Sequence, residues 1–332
     1  MIIPSYKFKC LHSLNILWKW KAKKELKRFF YYKGTFVILG VHKSGFVNII
    51  GKPNVGKSTL MNAFLGEKLS IVTQKAQTTR HRIRGILNGE DYQIVYSDTP
   101  GIVTPHYKLH EAMMSFVGEA LEDADVILFV IEIKDKTPVD EKTLKKLKKQ
   151  ECPVLVLINK IDLGGQELLE KKVEEWKELL PNAEVIPVSA QEKFNTDYIL
   201  KRIIALLPEA PPYFPKDELS DKTQRFFVSE IIREKIFLMF HEEIPYSAEV
   251  EIEEFKEAEN IIRIRAIIYV MREGQKAILI GKQGSGLKKL GTKAREEIEL
   301  FLGKKVFLET IIKVEKDWRE KESKLRKFGY LE

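Results

Sequence analysis

Gly51-Lys52-Pro53-Asn54-Val55-Gly56-Lys57-Ser58 decides the fold, because it joins a short apolar run, Phe46-Val47-Asn48-Ile49-Ile50, to a stretch with helical spacing at 58–64. The spacing G-x-x-x-x-G-K-S is that of a phosphate-binding loop set between a strand and a helix. Each residue type has a physical task there. Glycines let the backbone wrap phosphates, free amides and the helix N-terminus supply positive potential, Lys57 adds a full charge, and the Ser58 hydroxyl suits Mg2+. Working outward, residues 92–96, 126–131, 154–158 and 185–188 are further short buried-strand candidates, with helical stretches such as 139–150 and 166–180 between them. Strands alternate with helices in this way when a parallel sheet is covered on both faces. An α/β domain with a mostly parallel, doubly wound sheet is predicted.

Three more segments carry the same chemistry, each at the C-terminal end of a predicted strand. Asp98-Thr99-Pro100-Gly101 offers a carboxylate that can reach Mg2+ through water and, at Gly101, an amide for a terminal phosphate. Asn159-Lys160-Ile161-Asp162 places Asp162 to accept from guanine N1–H and its exocyclic amine, a donor pair that adenine lacks. A carboxylate left unpaired by the wrong base would reject it by several kcal/mol, roughly 10⁴-fold if fully desolvated. Ser189-Ala190 completes the base pocket. Each motif is weak by itself, but the four in order lie where open α/β sheets bind ligands.

At 332 residues the chain is long enough for two domains. Its 44% hydrophobic and 31% charged residues exclude disordered, collagen-like and coiled-coil classes. No run approaches the ~18 uninterrupted apolar residues of a membrane-spanning helix. Cys10 and Cys152 fit neither a disulfide framework nor a metal site, and His106, His110 and His241 lack metal-ligand spacing, so a reducing cytoplasmic location is expected. The formal charge of +8 is misleading as a sign of nucleic-acid binding. Residues 1–40 hold nine basic side chains and one acid, whereas residues 41–332 hold 47 of each.

Pro208-Glu209-Ala210-Pro211-Pro212-Tyr213-Phe214-Pro215 marks a change of domain, since proline this dense supports neither helix nor central strand. Beyond it the order is helix (225–240), strands (248–255 and 261–271), a glycine-rich turn, helix (286–302), strand (305–314) and a charged helix (316–327), an α+β arrangement. Ile280-Gly281-Lys282-Gln283-Gly284 sits before that second helix, which opens with Leu287-Lys288-Lys289-Leu290. A Gly-x-x-Gly turn lets amides approach a nucleic-acid backbone, and KH modules clamp about four nucleotides this way. Two glycines three apart say little alone. The context says more: residues 276–295 contain six basic side chains and no acid, while 209–275 carry net −6 and 276–332 net +6. The RNA-facing set is therefore Ile280, Gly281, Lys282, Gln283, Gly284, Lys288 and Lys289.

The nucleotide motifs, with Gln77-Thr78-Thr79-Arg80 and the Gly-x-x-Gly turn, resemble the Era family of translation-factor-like GTPases. That resemblance runs from about Lys43 to the C-terminus. It implies a GTPase domain on 41–207, a linker on 208–219 and a type II KH domain on 220–330. It also implies a slow GTP-to-GDP switch that binds small-subunit (16S) ribosomal RNA near its 3′ end and assists 30S assembly. Catalysis would fall to Lys57, Thr79 and Gly101. The nucleotide would be held by Gly51 to Ser58, Thr59, Asp98, Thr99, Pro100, Gly101, Asn159, Lys160, Asp162, Ser189 and Ala190. Mg2+ would be held by Ser58, Thr79 and, through water, Asp98. Thr78 is the poorer candidate for the switch threonine. Ile102 stands where many GTPases carry a water-orienting glutamine; the family resembled also has an apolar residue there, so the water-orienting group is unassigned. Asn54 admits two roles, a K+ site near the phosphates or a brace within the loop. A monomer is expected.

Residues 1–40 have no counterpart in the family pattern. Trp18, Trp20, Leu26, Phe29 and Phe30 alternate with lysines and Arg28, which suits a solvated tail, sequence outside the natural product, or a basic amphipathic helix on a membrane surface. The last option supports an alternative function, a switch held peripherally on the inner face of the cell membrane and acting through a protein partner. Translation is expected to begin near Val41. Intact-mass measurement of the native protein checks this, and a chain starting at Met1 contradicts it.

Overall fold

The computed structural model describes residues 42–135 and 140–331, with the backbone of 29–32 and 35–38. Most of the basic segment, including 18–28, lies outside the described residues. In a unit of their own, β1 (Phe29–Tyr32) and β2 (Thr35–Ile38) pair antiparallel with Phe29 opposite Ile38. Phe29 and Phe30 are therefore extended, as aromatic and β-branched runs prefer, and do not continue a helix.

The strands that position the phosphate loop are β3 (Lys43–Gly51), β4 (Ile83–Asn88), β5 (Tyr92–Asp98), β6 (Val126–Glu132), β7 (Val154–Asn159) and β8 (Glu184–Pro187). Their order is β4-β5-β3-β6-β7-β8, and only β4 runs antiparallel, against β5. β6 shows why the centre is parallel and doubly covered. Leu128 and Val130 enter one core with Leu60, Met61 and Ile203, while Ile127, Phe129 and Ile131 enter the other with Val117, Leu121 and Trp176. A strand buried on both faces has no polar side to alternate. Helices α1 (Lys57–Leu65) and α5 (Thr196–Leu206) cover the first face; α2 (Lys108–Glu122), α3 (Glu141–Lys148) and α4 (Gln166–Leu179) cover the second. β3 is flanked by β5 on one side and β6 on the other, and the chain crosses from the first side to the second after β5, so the loop after β3 lies at the switch point of the sheet.

Residues 208–219, read from sequence as a linker, run as a strap along the antiparallel edge. Gln93, wholly buried on β5, organises it: its Oε1 accepts from the amides of Tyr213 (2.7 Å) and Phe214 (3.0 Å), and its Nε2 donates to Phe214 O at 2.8 Å. Farther on, Ile86 N donates to Leu219 O at 2.9 Å. A proline-rich segment lacks amide donors of its own, so its remaining polar groups are satisfied from the sheet.

The second half consists of α6 (Gln224–Met239), α7 (Ile244–Ser247), β9 (Glu249–Glu257), β10 (Ile261–Val270), α8 (Glu273–Ile280), α9 (Ser285–Leu302), β11 (Lys305–Val314) and α10 (Glu322–Lys327). The sheet order is β11-β10-β9, with β10 antiparallel to β9 and parallel to β11. Leu290, Ala294 and Ile298 place one stripe of α9 on that sheet. Two expectations needed correction. The expected order passed from the second strand straight to the glycine turn, but residues 273–280 between them form helix α8, whose start is capped by Gln275 Oε1 accepting from the amides of Met271 (2.9 Å) and Arg272 (3.1 Å). The single helix expected at 316–327 is a 3₁₀ turn, Trp318–Glu320, followed by α10, because Lys321 between them is extended.

Gln93→Ala removes the shared acceptor of two strap amides and is expected to lower unfolding stability by about 2–4 kcal/mol. Urea unfolding measures this; a loss below about 0.5 kcal/mol would show that the strap is held without Gln93.

Candidate functional site

The loop after β3 forms a cradle of backbone amides. Gly56 has φ 98°, and a Cβ there would stand 2.2 Å from Asn159 Nδ2, so both conformation and space require glycine. Helix α1 begins at Lys57 with no side-chain cap and no acid in its first turn, through Ser58 and Thr59, which leaves its first amides for an anion. The Lys57 ammonium is buried and donates to the carbonyls of Gly51 (3.1 Å) and Lys52 (2.8 Å). Burial pulls its pKa from the usual 10.5 down to about 8, against the opposing pull of Asp98. Lys52 pairs with Asp135 at 2.9 Å. Asn54, in the left-handed region at φ 64°, donates from Nδ2 to Gln74 O at 2.9 Å and so braces Pro53-Asn54-Val55 against the segment that carries Thr79. Gly101 packs on Pro53, and the hydroxyl of Thr99, next to buried Pro100, donates to Ile49 O at 2.7 Å.

Beside this cradle three oxygen-bearing side chains meet. Ser58 Oγ donates to Asp98 Oδ2 at 2.6 Å, Thr79 Oγ1 donates to the same oxygen at 3.2 Å, and the two hydroxyls are 3.0 Å apart. Asp98 is wholly buried, its other oxygen Oδ1 has no hydrogen-bond partner, and burial raises its pKa despite nearby Lys57. A buried carboxylate with an orphaned oxygen beside two hydroxyls is a hard-oxygen donor set of the kind Mg2+ takes, with water completing the shell. Thr78 points elsewhere, bonded to Thr73 Oγ1 (2.6 Å) and Lys75 O (2.7 Å). The structure thus brings Thr79, not Thr78, to the Ser58–Asp98 pair.

The base-pocket residues gather at the ends of β7 and β8. Ser189 Oγ donates to Asp162 Oδ1 at 2.6 Å, which orients the exposed Asp162 carboxylate. Asn159 sits behind them as a strut. Its Nδ2 donates to Val55 O at 2.8 Å and its Oδ1 accepts from Ala190 N at 3.0 Å, tying the phosphate loop to the base loop. Lys160 pairs with Glu132 at 2.7 Å.

The glycine turn joins α8 to α9. Gly281 has φ 71°, and a Cβ there would stand 2.8 Å from Gly286 N, so the turn closes only without a side chain. Gln283 and Gly284 are also left-handed, at φ 52° and 79°. Lys282, Gln283, Lys288 and Lys289 are exposed, Ile280 is half-buried, and the three lysines form no ion pair among the described residues. Their charge is free for phosphates.

Sequence reasoning missed how this second module touches the first. Arg80, next to Thr79, is 1% exposed and bonds only residues of the second module. The single signal was its position beside the switch threonine. Trp318, without a derivable role from sequence, is wholly buried against Leu109, Ala112 and Met113 of α2 and donates from Nε1 to Ser247 O at 2.9 Å.

Comparison with known proteins agrees with both halves. A family described as 50S ribosome-binding GTPase matches residues 46–160, and a KH domain family matches 243–319. GTPase Era of Staphylococcus haemolyticus (strain JCSC1435) is 44% identical over 293 residues, covering 88% of this chain and 98% of the relative. A crystal structure of Era with MgGDPNP and nucleotides 1506–1542 of 16S ribosomal RNA is 42% identical, with TM-score 0.84, over 88% of this chain and all of that one. Aquifex aeolicus Era Y63A bound to GDP·AlF4− is likewise 42% identical, with TM-score 0.84, over 87% of this chain and all of that one.

The lowered pKa of Lys57 sets a pH dependence. Between about pH 8 and 10.5 the unfolded chain holds this proton and the empty folded site does not, so the group's contribution to fold stability rises with pH there. Phosphate favours the cation, so binding in that window takes up a proton. GDP affinity is expected to fall by up to about tenfold per pH unit above about 8. Calorimetry in buffers of different ionisation enthalpy reads the proton uptake; a pH-independent affinity from 7 to 10 would contradict it.

Proposed function

The chain belongs to the Era family of GTPases, and from that premise we propose that it acts as a GTP-timed clamp on the 3′ end of 16S ribosomal RNA during 30S assembly. It is a GTP-hydrolysing enzyme with a KH domain, and Mg2+ is its metal. The observation that carries the reading is the meeting of Ser58, Thr79 and Asp98 beside the bare start of α1, in one folded unit with the Gly281–Gly284 turn.

In the proposed division, 41–207 form the GTPase module, 208–219 the connection and 220–330 the RNA-binding module. Mg2+ bound at Ser58, Thr79 and, through water, Asp98 would neutralise charge between the outer phosphates of GTP. Lys57 holds those phosphates as a buried cation, and the amides of the loop and of Gly101 face the oxygens where charge gathers. These groups are already aimed, so they stabilise the transition state with little reorganisation. Ile102 is apolar and its amide donates to Gly51 O at 3.1 Å, so its side chain cannot orient the attacking water and slow intrinsic turnover follows. Asp162, oriented by Ser189, selects guanine. Asn54 joins the phosphate loop to the Thr79 segment, which makes it the residue through which K+ would act. Loss of the terminal phosphate removes what Thr79 binds, so the two modules would change their relation on hydrolysis and release RNA. The protein works as a cytoplasmic monomer in this account.

Peripheral membrane binding would rest on residues 1–40. Among the described residues no helix is long and apolar enough to cross a membrane. A chain lacking 1–40 should keep RNA binding and lose any affinity for anionic vesicles.

Affinity for a single-stranded RNA matching the 3′ end of 16S ribosomal RNA should fall with salt, with slope of about 0.7 per neutralised phosphate. Gly281→Asp with Gly284→Asp should weaken it by roughly 10–100-fold while leaving GTP hydrolysis in place. Affinity that ignores both changes would exclude the RNA-clamp reading, and equal turnover in K+ and Na+ would exclude the K+ role.

A further inference from the structure

Thr79 reaches the metal site from a segment that the first module holds at Gln74 and Gln77, through Asn54 and Tyr107, and that the KH module holds on both sides of Thr79. The Arg80 guanidinium makes four hydrogen bonds there. Nη1 donates to Ala248 O (2.8 Å) and Glu249 Oε2 (2.9 Å), and Nη2 donates to Pro245 O (3.0 Å) and Tyr246 O (3.2 Å). The rings of Phe237 and Trp318 flank it, each with its centroid 5.9 Å from the guanidinium carbon. Glu249 is nearly as buried as Arg80, and its Oε2 also accepts from Tyr330 OH at 2.8 Å. The Tyr330 ring in turn stacks on His81, with centroids 4.2 Å apart. On the other side of Thr79, Lys75 Nζ donates to Phe237 O at 2.5 Å and to Phe240 O, at the end of α6. Residues 75, 80 and 81 are thus bound by the KH module, while Thr79 between them faces Ser58 and Asp98.

We propose that Arg80 and Glu249 are positioning residues for GTP hydrolysis: the KH module, through this pair, holds the Thr79 hydroxyl at the metal site, so the GTP site is completed by the RNA-binding half of the chain. The physical reason is the expense of parting them. Removing one partner of a buried, fully hydrogen-bonded ion pair leaves an uncompensated charge. While the pair is closed, the segment cannot swing away from Ser58 and Asp98, and Thr79 gives up little further freedom when the triphosphate arrives. GDP offers no terminal phosphate for Thr79 to cap, so the benefit falls on GTP alone. Linkage makes the effect reciprocal, so Mg–GTP tightens the grip of the GTPase module on the KH module by the same factor.

The inference rests on Thr79 being the ligand that senses the terminal phosphate, and the test separates the two ideas. Affinities for a fluorescent GDP and a non-hydrolysable GTP analogue, together with kcat and KM, are measured on the full chain and on Thr79→Ala, Arg80→Ala, Arg80→Lys, Glu249→Ala and Glu249→Gln. Arg80→Ala and Glu249→Ala should cut the preference for the GTP analogue over GDP by about tenfold, or ~1.4 kcal/mol, with GDP affinity unchanged. Arg80→Lys and Glu249→Gln, which keep the charge or the shape, should recover part of the preference and of kcat. If Thr79→Ala loses the preference while both alanine variants keep it, the positioning role is overturned and the Thr79 assignment stands. Should Thr79→Ala itself keep the preference, both fall. Equal loss of GDP and GTP affinity in the alanine variants also overturns the role, since the pair would then support the whole site and not Thr79.

Discussion

A carboxylate taken wholly out of water, with one oxygen unpartnered, is the constraint around which this protein is arranged. Asp98 ends β5 in register with Ile49 of β3, so the central strands of the sheet place it. Its burial is unfavourable until a cation arrives, as the upward shift of its pKa shows. Everything nearby is a partial answer to that charge: the buried Lys57, the Ser58 hydroxyl, and Thr79 brought in from a separate segment. A cation reaching Asp98 would relieve that burial.

The need to bring Thr79 in from elsewhere links the two modules. Thr79 lies on a segment outside regular structure, with no element of its own to hold it. Its neighbours Lys75, Arg80 and His81 are held by α6, α7, the start of β9 and the terminal Tyr330. The C-terminal turn adds a second tie, with Trp318 buried against α2 and Arg319 lying over the Tyr107 ring at 4.4 Å. The Thr79 segment and the start of α2 thus both lean on the second half of the chain. The Gln93-anchored strap runs along the β4–β5 edge of the sheet and ties the connection between the modules to it.

Charge follows the same economy. The formal +8 comes from residues 1–40, and the remainder of the chain is neutral. Within that neutral remainder the acids are spent on internal partners: Glu249 on Arg80, Glu230 on Arg233, and Glu234 and Glu297 on Lys68. The lysines at 282, 288 and 289 are not spent this way. A face can thus attract phosphate strongly on a stretch of chain with no net charge.

Much of the fold was legible in the amino-acid order, because local constraints write themselves there. The phosphate loop, the Val- and Ile-rich strands around it and the Gly-x-x-Gly turn are short segments whose backbone demands permit few residues. β4 was not legible: Arg84 and Gly85 interrupt its pattern, and it becomes a strand only by pairing with β5. Helix α8 was hidden because eight residues, with Gly274 among them and Gly281 at their end, carry too little periodicity. The strut that Asn159 forms was not legible either, since its amide is bonded by Val55 and Ala190, both more than thirty residues away. The sequence by itself determined the chemistry of the two sites and the order in which they occur. Only the tertiary structure decided that Arg80 and Glu249, 169 residues apart, share one buried bond and so join them. No local pattern encodes which distant charge will satisfy a buried one; that is settled when packing removes the water.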